Sequence, residues 1–211
     1  MNTTFLSMII AASSVMIHSA NSPTSTTAYS LIKKEKSICL SGREITLSGN
    51  RTTRELKAEF MVNAEASAVL KVITEEQYAK SWMQSVSEFS TLRRLNENDW
   101  FAYIQYDIPW PLNNQDCIIR YRCVQSEDGR KFMLTMSGVP DYLPERTGVE
   151  RISHLCGSWT ITTAGNSECR VVYTIYSEQQ PKYPRWATDP IIQRNLINTL
   201  ASMKELSENI R

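Results

Sequence analysis

The residues of this chain that could carry out chemistry are few. The sequence contains two histidines, His18 and His154, and His18 directly follows an apolar run near the N-terminus. His154 falls on the polar side of a predicted strand, which is an unusual position for a metal ligand or a proton-transfer group. The HExxH, GxSxG, GxGxxG and phosphate-loop motifs are missing from the sequence. We therefore predict that the protein is not an enzyme and uses neither a metal nor a cofactor.

A second group of residues indicates binding rather than catalysis. Large side chains recur on the apolar side of predicted strands and of a predicted C-terminal helix. Each has two interpretations, because it could pack in the core or could line an apolar pocket of ~300–1,000 Å³. A tyrosine hydroxyl buried in such a pocket needs a partner from the protein, water or a ligand. The candidate ligand-binding residues are Tyr106, Ile119, Tyr121, Arg151, Leu155, Trp159, Tyr173, Ile192 and Leu196.

Arg151 is the charged member of this group. It shares the apolar parity of its predicted strand, and a buried arginine must be paired. Arg151 is therefore either bonded within the protein or positioned for an anionic or carbonyl head group.

The stretch over residues 100–122 positions two of the candidate tyrosines. Every second residue up to Ile108 is apolar, which is the period of a half-buried strand. Pro109 and Pro111 each remove a backbone donor, so the strand cannot continue through them. A second strand begins near Asp116. The stretch therefore predicts two strands joined by a corner.

The remaining sequence predicts further strands and one more helix. Alternating apolar residues between turn residues mark the strands, and helical spacing marks a helix over Ala66–Tyr78. The segment Tyr29–Glu35 is interpreted as a short helix or lead-in. The predicted strands cover residues 38–47 (interrupted at 41–42), 55–62, 86–95, 100–108, 116–124, 130–137, 148–162 and 168–176.

The clearest predicted helix is at the C-terminus. Asp189 is a favourable N-cap and Pro190 a favourable first helical residue. A long apolar stripe then predicts a helix of about 20 residues, long enough to cross a sheet. The stripe consists of Ile192, Leu196, Leu200, Met203, Leu206 and Ile210.

The order of these elements predicts the fold class. A sheet with one apolar face and a single long amphipathic helix must bring the two faces together. A sheet of many hairpin-linked strands also curves, because strands twist. We therefore predict an α+β helix-grip, in which a curved antiparallel β-sheet is wrapped around a long C-terminal α-helix and encloses an internal cavity.

Several short motifs occur in order along the chain. They are Pro109-Trp110-Pro111 with Asp116, Val149-Glu150-Arg151, Gly157-Ser158-Trp159 and Tyr183-Pro184-Arg185-Trp186. Together with the element order, this set resembles the START (StAR-related lipid-transfer) domain family of the helix-grip, Bet v 1-like superfamily, over residues 29–211. The resemblance implies a protein that binds a lipid or other hydrophobic small molecule in an internal cavity, for transport, storage or sensing, without catalysis.

The sequence departs from the family's pattern at two positions. Gln115 stands where the family's corner has arginine, so the ion pair with Asp116 is expected to be missing. Tyr121 stands where some members carry a pocket arginine, so we do not expect the head-group chemistry of well-known members. The superfamily also includes polyketide aromatase/cyclases, which implies an alternative: an enzyme in which Tyr106, Tyr121 and Arg151 move protons.

Composition bounds the remaining properties. The chain has 211 residues, 42% of them hydrophobic, which is typical of a single domain. Its net charge of +1 provides no strong positive electrostatic potential that would attract nucleic acid. An apolar run over residues 5–17 is too short to span a bilayer and matches a secretory signal. We predict a signal peptide over residues 1–22 and a START-like lipid-binding domain over residues 23–211.

These features also predict partners and location. We expect export to the periplasm or the cell exterior, or a cytoplasmic location if the N-terminal run is not a signal. The expected partners are a lipid or hydrophobic small molecule and, transiently, a membrane. No nucleic-acid partner is expected, and the protein is predicted to be a monomer.

Overall fold

The chain forms one large β-sheet and three helices within the described residues. The structure is a computed structural model that describes residues 24–25, 27–108, 113–179 and 183–210. The predicted signal peptide and the Pro109-Trp110-Pro111 corner lie outside these ranges. The strands are β1 Thr24–Ser25, β2 Ser30–Glu35, β3 Ile38–Thr46, β4 Thr52–Val62, β5 Val86–Asn96, β6 Asp99–Tyr106, β7 Asn114–Gln125, β8 Lys131–Gly138, β9 Val149–Arg151, β10 Leu155–Gly165 and β11 Glu168–Ser177. The helices are α1 Ala66–Thr74, α2 Glu76–Trp82 and α3 Arg185–Asn209.

The sheet confirms the predicted fold class. Its order is β1-β3-β4-β11-β10-β8-β7-β6-β5, with β2 added beside β3 and β9 beside β7. All of these pairs are antiparallel apart from β7 and β9, which run parallel. The sheet is curved and carries the long C-terminal helix, as a helix-grip requires. None of the helices in the described ranges combines the length and apolar character needed to cross a membrane.

The core lies between the apolar face of the sheet and the three helices. α3 contacts α1, α2, β3 and β4. Its side chains Leu200 and Met203 are fully buried, whereas Ile192 at the start of the predicted stripe is 50% exposed. Strand β4 shows the predicted alternation, and its buried apolar residues are Leu56, Ala58, Phe60 and Val62.

The N-terminal segment differs from its prediction. Residues Tyr29–Glu35 were expected to form a short helix or lead-in, but β2 forms a hairpin with β3. Lys36 and Ser37 both have positive φ values, 49° and 62°, which is the conformation of a two-residue hairpin turn. Such turns favour glycine or asparagine, so these two residues gave no turn signal.

The predicted helix over Ala66–Tyr78 is divided in two. Glu75 adopts an extended conformation between α1 and α2. Trp82, the last residue of α2, donates from its indole Nε1 to the carbonyl oxygen of Val72 at 3.0 Å. This hydrogen bond fixes α2 against α1.

The predicted strand over residues 148–162 is also divided. His154 has a φ of +54°, and the chain turns there between β9 and β10. β9 pairs with β7, whereas β10 pairs with β8 and β11. Because the chain changes direction, Arg151 and Leu155 do not belong to one continuous face, and the parity argument that grouped them does not apply.

Helix α3 begins five residues earlier than predicted. Pro184 rather than Asp189 precedes the first turn, and Pro190 lies inside the helix. Asp189 is paired with Arg54 through Oδ2 and Nη2 at 2.5 Å. Pro190 removes the intrahelical donor for the carbonyl oxygen of Trp186, a residue that is itself 82% exposed.

Candidate ligand-binding pocket

An apolar pocket lies between the curved sheet and α3. Its volume is about 360 Å³, near the lower end of the range for small-molecule sites. Strands β6, β7, β8, β10 and β11 form one side, the ends of α1 and α2 form another, and α3 closes the third. The fold therefore provides a concave surface suited to a small hydrophobic molecule.

The structure brings together eight of the nine candidate residues. Their function as ligand contacts stays a prediction, but their placement in one wall is a property of the fold. The eight residues that line the pocket are Tyr106, Ile119, Tyr121, Leu155, Trp159, Tyr173, Ile192 and Leu196.

Stacked aromatic rings make the deep side of the pocket rigid. The ring centroid of Trp159 lies 4.1 Å from that of Tyr173 and 6.1 Å from that of Trp82, with the two indoles edge to face. Tyr121 stacks on Trp100 at 5.3 Å. Such pairs favour defined geometries, so this wall is preorganised before a ligand arrives.

Three tyrosine hydroxyls and one thiol are among the polar groups at and around the pocket. Tyr106 shares a hydrogen bond with the thiol of Cys117. Tyr121 and Tyr173 are only 5% and 8% exposed. Within the part of the chain that the structure describes, neither of these two hydroxyls has a protein hydrogen-bond partner. No fully buried side-chain oxygen of the described residues lacks a partner, so these two hydroxyls face accessible space and are available to a ligand or to water.

The same groups are neutral at physiological pH. Burial, followed by the nearby Cys117, raises the pKa of Tyr106 well above its ordinary value. Burial likewise raises the pKa values of Tyr121 and Tyr173, and it raises the pKa of the Cys117 thiol to about 12. Among the described residues, no side chain that lines the pocket is charged.

Arg151, the ninth candidate, is not among the residues that line the pocket. Its Nε donates to Oδ1 of Asp116 at 2.6 Å and its Nη2 to Oδ2 at 3.1 Å. It also donates to three carbonyl oxygens, those of Pro140 at 2.5 Å, Leu143 at 3.1 Å and Pro144 at 3.4 Å. The hydrogen bond with Asp116 raises the pKa of Arg151. The sequence left two alternatives for Arg151, which were bonding within the protein and contact with a ligand head group. The structure shows bonding within the protein.

This pairing corrects a second expectation. The glutamine at position 115 was expected to leave Asp116 without an ion pair. Instead, the parallel register of β7 and β9 places Asp116 opposite Arg151. The arginine comes from a distant part of the chain, so the local sequence around Asp116 could not reveal it.

Sequence reasoning missed several residues of the wall. Ile104 and Ile108 share the parity of Tyr106 and line the pocket beside it, so their alternation was an available signal. Trp82 and Met136 also line the pocket. Their contribution depends on how α2 and β8 are placed in three dimensions, which no local pattern indicates.

The pocket opens beside an exposed apolar surface at the start of α3. Ile192, which lines the pocket, is 50% exposed. Tyr183, Trp186 and Ile191 are 51%, 82% and 60% exposed. We call these four residues the α3 apolar end.

Comparison with known proteins agrees with this architecture. The family model of the START domain matches residues 29–210. The chain is 26% identical to the phosphatidylcholine transfer protein of Rattus norvegicus over 147 residues, which cover 68% of this chain and 67% of the relative.

Solved structures extend the comparison to three dimensions. A STAR-related lipid transfer protein from Xanthomonas axonopodis matches with a TM-score of 0.74 and 25% identity over 86% of this chain and 99% of the other. A Streptomyces aromatase/cyclase matches with a TM-score of 0.50 and 15% identity over 75% of this chain and 96% of the other. The second likeness is one of fold alone.

Proposed function

This chain belongs to the START domain family, and from that premise we propose that it binds a lipid or other hydrophobic small molecule in the pocket and carries it without chemical change. The observation that carries the proposal is a preorganised apolar pocket beneath a long helix, lined by a few neutral hydroxyls. Apolar ligand surface that leaves water contributes roughly 25 cal/mol per Å². Burial of about 200 Å² would therefore contribute about 5 kcal/mol before the costs of association.

Ligand exchange requires part of the wall to move, since the pocket is covered by α3. The first half of α3, with the Pro-containing segment 138–147, is the proposed lid; the sequence also suggests the Pro-containing segment 179–186 for this role, part of which lies outside the described residues. Ile192 and Leu196 belong to both the lid and the wall. Movement of α3 would therefore open the pocket and expose its apolar lining at the same time.

Transient contact with a membrane would favour that opening. The α3 apolar end places two exposed aromatic residues, Tyr183 and Trp186, at the start of the proposed lid. Aromatic side chains with a polar atom are suited to the interface between lipid and water. We propose that this end contacts the membrane during lipid exchange.

The aromatase/cyclase alternative requires groups that move protons, and the site does not favour it. Arg151 is held by Asp116 and by backbone carbonyls. The pKa values of Tyr106 and Tyr121 are raised, so these hydroxyls are poor proton donors at neutral pH. Binding without catalysis is therefore the better-supported function.

Lipid loading tests the proposal directly. Purified protein is incubated with vesicles that contain a broad mixture of lipids, re-isolated, and examined by native mass spectrometry and lipid extraction. We expect a bound hydrophobic molecule at about one per chain. A folded protein that stays empty across the whole mixture would contradict the proposal.

A matched pair of helix variants locates the ligand. Leu196→Trp places extra volume in the pocket wall, where overpacking is unfavourable, and we expect loading to fall by about tenfold, equivalent to about 1.4 kcal/mol. Ile191→Trp makes a similar change on the same helix at a residue that does not line the pocket, and loading should be unchanged. Circular dichroism checks that both variants are folded, and equal loading of the two would place the ligand elsewhere.

A further inference from the structure

The inside of the pocket contains an unusual combination of groups. Its surface is mainly apolar, and its described lining residues include no charged side chain. Tyr121 and Tyr173, at its buried side, present hydroxyls that have no protein partner among the described residues. Of the remaining neutral polar side chains that line the pocket, Gln84, Ser85 and Asn195 are exposed, whereas Gln115 and Thr199 are half-buried.

A charged head group would lose its hydration at the buried side without gaining an opposite charge. An unpaired buried ion is strongly disfavoured, and Arg151, the buried arginine of the described residues, is already bonded to Asp116 and three carbonyl oxygens. A fully apolar molecule would avoid this penalty but would leave the hydroxyls of Tyr121 and Tyr173 unpaired. A neutral group that accepts a hydrogen bond from a tyrosine hydroxyl, such as a hydroxyl or a carbonyl group, satisfies both conditions.

We propose that the pocket selects an uncharged lipid whose hydroxyl or carbonyl group enters first and bonds to the hydroxyls of Tyr121 and Tyr173. The inference rests on the proposed binding function and names the ligand class for the same pocket. Tyr106 has a different role, because its hydroxyl is already bonded to the Cys117 thiol and so helps to hold the wall. The pocket volume of about 360 Å³ favours a compact ligand over a two-chain phospholipid.

Four probes with the same hydrocarbon chain separate the possibilities. They are hexadecan-1-ol, hexadecane, hexadecanoic acid and hexadecylphosphocholine. Trp82 and Trp159 line the pocket, so tryptophan fluorescence follows binding, and native mass spectrometry confirms the stoichiometry. At pH 8 we expect the alcohol to bind at least about tenfold more tightly than the phosphocholine and the ionised acid.

The pH dependence of hexadecanoic acid binding provides a second, independent test of the proposed orientation. If its carboxyl group enters the pocket in neutral form, its affinity should rise as the pH is lowered towards the carboxyl pKa. If its head remains in water at the opening, the affinity should not change in this way. The second result would overturn the proposed orientation.

Tyrosine variants test which groups recognise the ligand. Tyr121→Phe and Tyr173→Phe should each weaken binding of the alcohol by about five- to tenfold and leave binding of hexadecane unchanged or slightly stronger. Tyr103→Phe is the matched control, since the Tyr103 hydroxyl bonds to Gln105 at 3.0 Å and Tyr103 does not line the pocket. It should leave binding of the alcohol unchanged.

The outcomes distinguish this inference from the function on which it rests. Failure of all four probes, together with an empty protein after vesicle loading, would contradict the binding function itself. Binding of the charged probes as tightly as the alcohol, or equal alcohol binding by wild type and both pocket Tyr→Phe variants, would overturn the ligand class and leave the binding function standing.

Discussion

At the scale of single residues, the Arg151–Asp116 pair is the most constrained polar feature near the pocket. Both side chains are almost fully buried, at 3% and 1% exposure. Arg151 also binds the carbonyl oxygens of Pro140 and Leu143, which belong to the segment between β8 and β9. One arginine therefore joins β7, β9 and this segment, and its role in the structure is to hold a proposed lid segment against the sheet.

Replacing Arg151 with methionine should destabilise the protein strongly. Asp116 would keep a buried charge without its partner, and removal of one member of such a pair costs about 3–5 kcal/mol. The free energy of unfolding, measured by urea denaturation at pH 7, reports the change. Arg170→Met is the control, because the Arg170–Glu59 pair is exposed (59% at the arginine) and is expected to contribute at most about 1 kcal/mol. Equal effects of the two variants would contradict the structural role of Arg151.

At the scale of elements, α3 has two roles, because one half of the helix packs in the core and the other half covers the pocket. Its second half is anchored in the core by Leu200 and Met203, while its first half carries the α3 apolar end and closes the pocket. The anchored half can keep the fold intact while the first half moves. This division explains why the lid proposal does not require the whole helix to leave the sheet.

Removing an exposed aromatic residue should therefore slow exchange without weakening binding. For Trp186→Ser we expect the rate of lipid transfer between vesicles to fall by at least about fivefold, since an interfacial indole is lost. Equilibrium loading of the protein should be unchanged, because Trp186 does not line the pocket. Fluorescent-lipid transfer between donor and acceptor vesicles measures the rate.

A second surface variant controls for general loss of apolar area. Val124 on β7 is 65% exposed and does not line the pocket, so Val124→Ser should leave the transfer rate unchanged. Equal slowing by both variants would show that the α3 apolar end has no special contact with the membrane.

Element patterns in the sequence predicted much of the wall, and their limits have physical causes. Tyr106, Tyr121 and Trp159 were assigned to the buried face by strand period alone, which holds because neighbouring side chains in a strand point to opposite faces. Arg151 was misplaced because the chain turns at His154, a non-glycine residue in a left-handed conformation. Its partner was missed because a parallel register between distant segments has no local signal.

At the scale of the whole molecule, several buried groups ionise less readily in the folded state than in the unfolded chain. Burial raises the pKa of Cys117 from 9.0 to about 12, and burial together with the charge of Asp116 raises that of Tyr103 from 10.0 to about 12. Tyr121 and Tyr173 shift in the same direction. The folded protein therefore holds these protons over an alkaline range in which the unfolded chain releases them.

This difference predicts a loss of stability at alkaline pH. The contribution of Cys117 is complete below the ordinary thiol pKa of 9.0 and is lost as the pH rises through about 12, because the unfolded state binds fewer protons in that interval. Urea denaturation at intervals between pH 8 and pH 11 should show a free energy of unfolding that falls progressively above about pH 9. Cys117→Ala should lower stability at pH 8 and make the fall less steep, since one of the shifted groups has been removed. A free energy that stays constant to pH 11 would show that these side chains are not enclosed by the fold in solution, and the neutral pocket would lose its physical basis.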